Sequence, residues 1–552
     1  MASTKFIISC AGVVVYIAYK TVLPGASLGT LALLWISLLT VPLLLRAIFR
    51  VLIYNNFLSP YLHIPTPSDK AHWFFGHAYH LHREGFPGSA QLRWLEERPG
   101  APFIRYLGFF GVERLAPRSH AALQTILQTN SYSFVKSKRT RESLALVIGD
   151  GLLNAEGDSH KRQRKLLMPA FSFGHIKSLT PVFVEKALAL STHIAGVLGT
   201  DKDKVEKVIN VQPMIHATTL DVIFKAGFGT EFNALENEDH ELVRAYRNVF
   251  TVGKITNWVR FAVALDIIFG AGVIPTKRNK QIAASKKIVQ KFATDLVQEK
   301  RQKQKIASTF GKTTSKTDKD ILNILIQEGK DAWTDHEIVN NLMTFLAAGH
   351  ETTSSATSIA LYLLAKHPEV QSNLRAEIRE HIPEYPSELA GADSDLLASL
   401  TYEKIESMKY LNNVCRESLR LIPPVPITGR QAAEDVMVDG VLVKKGTLVF
   451  IAIAAINQLK SFWGEDADKF NPDRWNNLSA EALSPYSFLT FIQGPRACIG
   501  RKFSEIEFKC LLIALIGRFE FAERNPGEAP ALRSIITTKF VDGLHLKVKY
   551  AE

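Results

Sequence analysis

The sequence predicts a mainly α-helical protein with small β-hairpin sheets, placed behind an N-terminal membrane anchor. Apolar residues recur every three or four positions over residues 169–305 and again over 334–366, a spacing typical of helices. Short apolar runs flank Asp-Gly pairs at Asp439 and Asp542, which indicates tight hairpin turns. Residues 21–45 contain no charged side chain and are long enough to cross a bilayer of about 30 Å.

The N-terminal region contains two apolar segments of different strength. The longer one, residues 21–45, is followed by Arg46 and Arg50, so the positive-inside rule places the rest of the chain in the cytosol. The shorter one, residues 6–19, fits either a second span or an interfacial helix. A cleaved signal peptide is the alternative, although no clear small-residue cleavage site precedes the longer segment. We predict three parts, namely a membrane anchor over 1–53, a proline-containing hinge over 54–68 and one large domain over 69–552.

Composition excludes several classes of function. The 552 residues carry a formal net charge of +12. The basic residues are dispersed and no nucleic-acid motif accompanies them, so we expect no nucleic-acid partner. Attraction to anionic lipid or to an acidic redox partner explains the excess more simply. The four cysteines show no paired zinc or disulfide spacing, so the large domain is predicted to be reduced and cytosolic.

Further elements follow from local patterns along the chain. Glycine-separated strands over 103–107 and 112–116 predict a β-hairpin, and residues 118–128 a short helix. Residues 131–151 read as an irregular, partly basic connection of the kind that often carries binding residues. Two other features are an unusually apolar stretch and an exposed loop, at 250–274 and 308–319 respectively.

One ten-residue stretch near the end has the pattern of a ligand loop. Phe491, Gly494, Arg496, Cys498 and Gly500 stand at fixed positions just before a predicted helix that begins near residue 501. A cysteine binds metal as the thiolate, which a nearby arginine and a helix N-terminus both favour. A lone cysteine is more often a small buried hydrophobe, but five such positions in ten residues are specific. The stretch resembles the haem-binding loop of the cytochrome P450 family, whose cysteine is the axial ligand of the haem iron.

The helix predicted over 334–366 carries a second motif of that family. Thr334 and Glu337 form a capping box at its start, and Gly349 in its middle predicts a local distortion. Singly, Glu351 and Thr352 would more often be a surface acid and a packing hydroxyl. The resemblance implies instead that they manage the protons of oxygen activation. A distortion at Gly349 would open a groove that holds this carboxylate and this hydroxyl. Candidate positions of a substrate pocket, all hydrophobic, are Phe345, Ala348, Val425, Ile427 and Ile536.

The resemblance also implies counterions for the haem propionates. His160 and Arg164 are four residues apart and project from one helix face, which alone would suggest a solvated basic helix. Beside a haem they resemble the family's propionate-binding helix, together with Arg496 and Arg430. The family usually has tryptophan where this chain has His160, and that departure weakens the assignment of His160 more than that of Arg164.

An acid and a base three residues apart resemble the family's E-x-x-R pair. Glu417 and Arg420 lie among apolar residues on a predicted helix, which indicates burial. Buried charges need further partners, and the family supplies a second arginine, here Arg474. Asp473 and Trp475 depart conservatively from the commonest form of that segment. The implied role of the three charged residues is structural.

Taken together, the motifs imply a membrane-bound haem-thiolate monooxygenase that resembles fungal members of the family. It would hold haem b and insert one oxygen atom from O2 into a hydrophobic small molecule of terpenoid, polyketide or fatty-acyl type, in secondary metabolite biosynthesis. The chain would lie on the cytosolic face of the endoplasmic reticulum and receive NADPH-derived electrons from a flavoprotein, NADPH-cytochrome reductase, with cytochrome b5 as a second donor. Basic residues suggest the docking face, although each alone would suit a solvated surface: Lys161, Arg162, Lys165, Arg501 and Lys502.

Two other functions stay open at this point. One is a haem-thiolate isomerase or dehydratase that needs no reductase, and the other is a haem sensor or binding protein without turnover. The Glu351 and Thr352 pair weighs against both, because neither needs protons for oxygen activation. A reductase-coupled NADPH oxidation assay separates them from a monooxygenase.

Overall fold

The structure is a computed structural model, and the part of it described below comprises residues 4–22, 24–83, 86–199, 206–237, 239–250, 276–309, 320–328, 333–383, 399–534 and 536–552. The predicted apolar stretch (250–274) and exposed loop (308–319) lie almost wholly outside these residues. Within them the fold is mostly helical with small sheets, as the sequence predicts.

The described helices are numbered here in chain order. They are α1 (Thr4–Thr21), α2 (Leu28–Phe49), α3 (Ala78–Arg83), α4 (Ser89–Glu96), α5 (His120–Gln124), α6 (Lys138–Ile148), α7 (Gly157–Leu167), α8 (Phe173–Ser178), α9 (Thr180–Leu198), α10 (Val211–Val222), α11 (Glu241–Phe250), α12 (Lys277–Thr309), α13 (Ile321–Glu328), α14 (Asp335–Lys366), α15 (Pro368–His381), α16 (Tyr402–Ser407), α17 (Lys409–Leu421), α18 (Ile453–Ile456), α19 (Lys460–Trp463), α20 (Ala480–Leu483) and α21 (Arg501–Ile516). Short π-helical turns extend α2, α5 and α10 at their C-terminal ends.

The described strands form four small sheets. They are β1 (Phe103–Leu107), β2 (Glu113–Pro117), β3 (Phe134–Val135), β4 (Lys207–Asn210), β5 (Thr428–Ala432), β6 (Val436–Val438), β7 (Val441–Val443), β8 (Leu448–Ile451), β9 (Phe519–Glu523), β10 (Leu532–Ser534), β11 (Thr538–Phe540) and β12 (His545–Tyr550). The largest sheet has the order β1-β2-β8-β5-β3, and a second has the order β4-β12-β9. Two hairpins, β6-β7 and β10-β11, complete the set among the described residues.

The two N-terminal helices pack against each other. Gly12 of α1 faces the indole of Trp35 on α2. Helix α2 and its π-helical continuation span 31 residues, and their most apolar 18-residue window has a mean hydropathy of 2.2 and no buried residue, so they are a candidate membrane span. The region predicted as a hinge is tied to the domain, because the Asn55 amide donates to the Gly111 carbonyl at 2.9 Å and the buried Tyr61 hydroxyl lies 2.6 Å from the Thr447 hydroxyl.

Helix α14 runs through the larger of two hydrophobic cores and positions the candidate site. The predicted capping box is confirmed, since the Glu337 amide donates to the Thr334 hydroxyl at 3.2 Å and the Glu337 carboxylate accepts from the Thr334 amide at 3.1 Å. The helix is continuous from Asp335 to Lys366, and the distortion at Gly349 stays a prediction. A Cβ there would lie 2.9 Å from the tip of the Ile223 side chain, which would have to shift.

Several local predictions can be compared directly with the elements. The hairpin at 103–116 and the Asp439 turn between β6 and β7 are confirmed, and Asp439 has a φ of 45° as a tight turn requires. The hairpin around Asp542 is wrong, because β11 pairs with β10 whereas β12 pairs with β4 and β9. The irregular connection at 131–151 is also partly wrong, because Ser137 caps the 11-residue helix α6 there.

Candidate active site

The cysteine loop is held by its own backbone. A 3-10 turn covers Gly494–Arg496, and the Cys498 amide donates to the Phe491 carbonyl at 2.9 Å. Gly494 has a φ of 75°, and a Cβ there would overlap the carbonyl of Leu127, so only glycine fits. Gly500, by contrast, has a negative φ and its nearest neighbour is 3.8 Å from a would-be Cβ. The protein itself therefore leaves space beside Gly500.

The Cys498 side chain is accessible, yet the protein atoms around it desolvate the sulfur and raise the pKa of the thiol. A hydrogen bond from the backbone N–H of Gly500 and the charge of Arg164 oppose that rise. The sequence predicted that Arg496 would favour the thiolate, and this is wrong, because Arg496 is turned toward Glu156. A bound metal ion would deprotonate the sulfur through its own charge.

A cluster of cations lies next to this loop. Arg164 of α7 donates to the Ala497 carbonyl at 2.8 Å, and Arg496 donates to the Ala155 carbonyl at 3.1 Å. His160 lies 3.2 Å from the Tyr132 hydroxyl. Arg430 of β5 and Lys136 lie close enough to these side chains for their charges to shift one another's pKa values. Among the described residues, Glu156 is the carboxylate that pairs with this group, through Lys136 and Arg496. We call Lys136, His160, Arg164, Arg430 and Arg496 the cationic cluster.

Burial and mutual repulsion make the cationic cluster electrostatically unfavourable. Burial, with the charges of Arg430 and Arg496, lowers the pKa of Lys136 to about 7. Burial and the surrounding cations also lower the pKa of His160 to about 4 and that of Arg430 to about 10. Three arginines and the partly protonated Lys136 face one carboxylate, so the cluster needs further negative charge. Two propionates would supply it, so the residues present fit a haem whose propionates lie here and whose iron meets Cys498.

Helix α14 and two segments packed on it contain the other predicted site residues. The Thr352 hydroxyl is partly buried and donates to the Ala348 carbonyl at 2.8 Å, as expected for threonine on a helix. The Thr538 amide donates to the Pro424 carbonyl at 2.7 Å, and Ser355 of α14 bonds to the Thr538 carbonyl. These bonds hold two segments against α14, and the segments contain Val425, Ile427 and Ile536, all partly exposed.

Phe345, another predicted pocket residue, is placed differently from the rest. It is buried, and its ring centroid lies 5.6 Å from that of Phe171. Phe171 in turn is the neighbour of Gly500. Phe345 therefore contributes to the packing between the cysteine loop and α14.

Glu351 is fully buried but does not share hydrogen bonds with Thr352 among the described residues. Its carboxylate lies 2.6 Å from the Lys539 ammonium and 3.1 Å from Nε2 of His216. Consecutive residues on a helix point about 100° apart, so the two side chains leave α14 in different directions. The sequence predicts one groove that holds both groups, whereas in the structure Glu351 contacts Lys539 and His216 and Thr352 contacts the Ala348 carbonyl.

The predicted structural triad is brought together. Glu417 and Arg420 are both 0% exposed and joined by two hydrogen bonds of 2.8 Å. Arg474 donates to the same carboxylate at 3.2 Å and also pairs with Asp466 at 2.7 Å. The indole of Trp475 adds a bond to Glu417 at 3.0 Å. The carboxylate thus connects α17 to the segment that leads toward the cysteine loop.

Four residues of the site escaped sequence reasoning. Lys136 and Tyr132 lie in the connection at 131–151. Its basic character suggests binding residues, but no pattern within it distinguishes these two from their neighbours. His216 and Lys539 reach Glu351 from elements far away in sequence, and no local pattern marks them. Only the tertiary structure places such residues together.

Comparisons with known proteins agree with this site. The family model for cytochrome P450 matches residues 65–538. The chain is 33% identical to cytochrome P450 monooxygenase sphH of Aspergillus fumigatus over 98% of this chain and 97% of that protein. It is 32% identical to cytochrome P450 monooxygenase ALT8 of Alternaria alternata over 86% of each, and 33% identical to cytochrome P450 monooxygenase FUM15 of Gibberella moniliformis over 91% of this chain and 90% of that protein. With this match over most of its length, the chain belongs to the cytochrome P450 family of haem-dependent monooxygenases.

Proposed function

We propose that the protein is a membrane-bound haem-thiolate monooxygenase that inserts one oxygen atom from O2 into a hydrophobic small molecule of terpenoid, polyketide or fatty-acyl type. The observation that carries the proposal is the pairing of an accessible cysteine in a rigid loop with a cationic cluster that lacks matching negative charge. The similarity to fungal monooxygenases supports a role in secondary metabolite biosynthesis.

The residues of this chain would hold the cofactor and manage the protons beside it. A haem b bound at this site would supply the iron that activates O2, and its thiolate ligand would donate the electron density that favours O–O cleavage. Cys498 would bind the iron, Phe491 and Gly500 would flank the sulfur, and the cationic cluster would bind the propionates. The Thr352 hydroxyl, which donates to the Ala348 carbonyl at 2.8 Å, would hold a proton near the reacting atoms. Glu351, whose side chain leaves α14 in a different direction, would serve as the acid.

The substrate is expected to be apolar. We expect the substrate pocket to be lined by small or aliphatic side chains that are only partly exposed, which are Ala348, Val425, Ile427 and Ile536. Because an apolar substrate partitions into lipid, the candidate span of α2 supports attachment to a membrane, which we propose is that of the endoplasmic reticulum with the domain on the cytosolic face.

The electrons are proposed to come from NADPH through NADPH-cytochrome reductase, with cytochrome b5 as a second donor. The five basic residues predicted as a docking face are all exposed. Lys161 pairs with Asp158 at 3.0 Å, and Arg162 pairs with Glu337 of α14. Arg501 and Lys502 both pair with Glu505, at 2.8 and 3.4 Å, so Lys165 contributes more unpaired charge than the other four. Replacing Lys165 with glutamate should slow reduction and weaken its dependence on salt.

The test of the proposed function is spectroscopic. The protein expressed in a fungal or yeast host, reduced and exposed to CO, should show the red-shifted Soret band of a haem-thiolate complex. Cys498→Ser should abolish that band, whereas Cys510→Ser, which changes a buried cysteine of α21, should keep it. A wild-type protein without the band would refute the haem-thiolate assignment. Titration with candidate ligands, followed by the shift of the ferric spectrum, then narrows the substrate class.

A further inference from the structure

The two N-terminal helices form a hairpin, which we call the N-terminal hairpin and define as α1, α2 and the residues between them. The connection contains the turn residues Pro24 and Gly25. A Cβ at Gly12 of α1 would lie 3.9 Å from the indole nitrogen of Trp35 on α2, and glycine lets the two helices approach closely. Gly12 and Trp35 lie near the middle of their helices, at similar distances along the chain from the connection. The helices therefore run antiparallel and side by side.

Helix α1 is long enough to cross a bilayer beside α2. It comprises 18 residues, Thr4–Thr21, which extend over about 27 Å as an α-helix. The hydrocarbon layer of an endoplasmic reticulum membrane is also about 27 Å thick. The charged residues of α1 are Lys5 and Lys20, one near each end, where a lysine can extend its ammonium to the lipid headgroups. The length and the position of its charges thus suit a membrane span.

The face of α1 that α2 leaves uncovered is apolar. On this face Val13, Val14 and Ile17 are 58%, 48% and 53% exposed, and Tyr16 is 63% exposed. A helix that lies in the membrane interface turns a strongly charged or polar face toward water. Between its two lysines α1 has no charged side chain, so it offers no such face. The uncovered side of α1 is therefore matched to lipid on the same terms as α2.

The basic residues around the two helices favour two spans over one. If both helices cross, Lys5, Arg46 and Arg50 lie on one side of the membrane and Lys20 lies on the other. If α2 alone crosses, Lys5 and Lys20 lie opposite the two arginines, and the basic residues are evenly divided. The positive-inside rule prefers the larger excess of lysine and arginine on the cytosolic side. Because the Asn55 amide ties the end of the π-helical continuation to the domain, the domain shares the side of the two arginines.

We propose that the N-terminal hairpin crosses the membrane twice, so that the connection between α1 and α2 lies in the lumen and the residues before α1 lie on the cytosolic side with the domain. This topology rests on the membrane attachment contained in the proposed function. A second lipid-facing helix is thereby added to the anchor, and its partner is the acyl-chain region of the bilayer. Three other arrangements are then excluded, namely a single span with α1 in the lumen, an interfacial α1 and a cleaved signal peptide.

The test maps the membrane side of three positions in the full chain, expressed in yeast microsomes. A flexible Gly/Ser spacer with one Asn-x-Thr glycan acceptor is inserted after Gly25, where the structure leaves open space, or fused before Met1 together with an epitope. Glutamine in place of the acceptor asparagine gives the matched control for each spacer. The third position is native, since Asn477, Leu478 and Ser479 form an Asn-x-Ser acceptor whose asparagine is exposed. A glycan added in the lumen lowers the gel mobility, and endoglycosidase restores it.

The spacer after Gly25 should gain a glycan, whereas the spacer before Met1 and the native Asn477 should stay unmodified. Protease added to intact microsomes should remove the epitope, since the epitope lies on the cytosolic side. Val14→Arg places a charge near the centre of α1, which is unfavourable in lipid, so the spacer before Met1 should change from unmodified to largely glycosylated. Val208→Arg, at an exposed position of β4, is the matched control and should change neither spacer.

Each other result would overturn the two-span topology. A glycan on the spacer before Met1 of the otherwise unchanged chain would indicate one span with α1 in the lumen. No glycan on either spacer would indicate a hairpin that does not cross, and loss of the epitope without added protease would indicate a cleaved signal peptide. A glycan on Asn477 would place the domain itself in the lumen.

The haem-thiolate assignment is tested separately from the topology. The CO band depends on the domain, so Val14→Arg should keep it even where the side of the N-terminus changes. A wild-type protein that lacks the band but shows the expected glycans would refute the proposed function and leave the two-span hairpin intact. A wild-type protein that has the band but shows a glycan before Met1 would refute the hairpin alone.

Discussion

Replacing Glu417 with alanine tests how much the buried ion network contributes to stability. The carboxylate is 0% exposed and accepts hydrogen bonds from Arg420, Arg474, Trp475 and the amide of Asn471. Removing one partner of a buried pair costs about 3–5 kcal/mol, because the remaining charge is left without compensation. A whole domain is stable by only about 5–15 kcal/mol. The substitution should therefore leave a protein that unfolds readily and retains little haem.

The cost should fall toward the lower end of that range for a reason visible in the structure. Arg420 keeps three carbonyl acceptors, those of Asn457, Ala467 and Lys469, at 2.7 to 3.1 Å. Urea unfolding followed by circular dichroism, together with haem content after purification, measures the effect. Lys549→Met, which removes an exposed pair at 3.2 Å, is the control and should cost about 0–1 kcal/mol. A Glu417→Ala midpoint equal to that of the control would refute the reasoning.

Three further predictions follow from single groups. Burial raises the pKa of Glu507 well above its usual value, so the folded state keeps a proton that the unfolded state loses. The free energy of unfolding should therefore fall as pH rises above about 4.3. Urea titrations at several pH values should show a smaller fall for Glu507→Gln. Lys136 has the opposite effect on pH dependence in the haem-free protein, because its pKa is lowered from 10.5 to about 7. The free energy of unfolding should rise as pH increases from about 7 to 10.5, and Lys136→Met should remove that rise. Gly494→Ala forces a left-handed φ of 75° and an overlap, so it should cost more than about 1 kcal/mol and reduce haem content, whereas Gly174→Ala, in open space on α8, should not.

The sequence predicts best what depends on local pattern. The capping box at Thr334, the start of α21 at Arg501 and the Asp439 turn each follow from a few neighbouring residues, and the structure contains all three. The turn at Asp542 shows the limit. Its local pattern suits a hairpin, but the strand that follows finds partners in β4 and β9, and pairing across the fold decides the outcome.

The same contrast between local pattern and tertiary packing applies to the residues of the candidate site. Cys498 and the Glu417 pair can be found because each lies in a fixed local spacing. The partners of Glu351 cannot, since His216 and Lys539 are separated by 323 residues and meet only through packing of α10 and β11 on α14. The same holds for Arg496, whose pairing with Glu156 depends on how the loop before α7 folds back.

Two buried acids beside α14 show how environment alone can assign different roles. Glu351 lies against the Lys539 ammonium and the His216 imidazole, and its pKa is held well below the usual range despite burial. Glu507 of α21 is fully buried, and the Thr353 hydroxyl is the group that opposes the rise of its pKa. Pairs of acids whose environments drive their pKa values apart can take different tasks. Glu507 keeps its proton and packs beside α14 as a neutral group, whereas Glu351 stays ionised because two basic side chains lie against it.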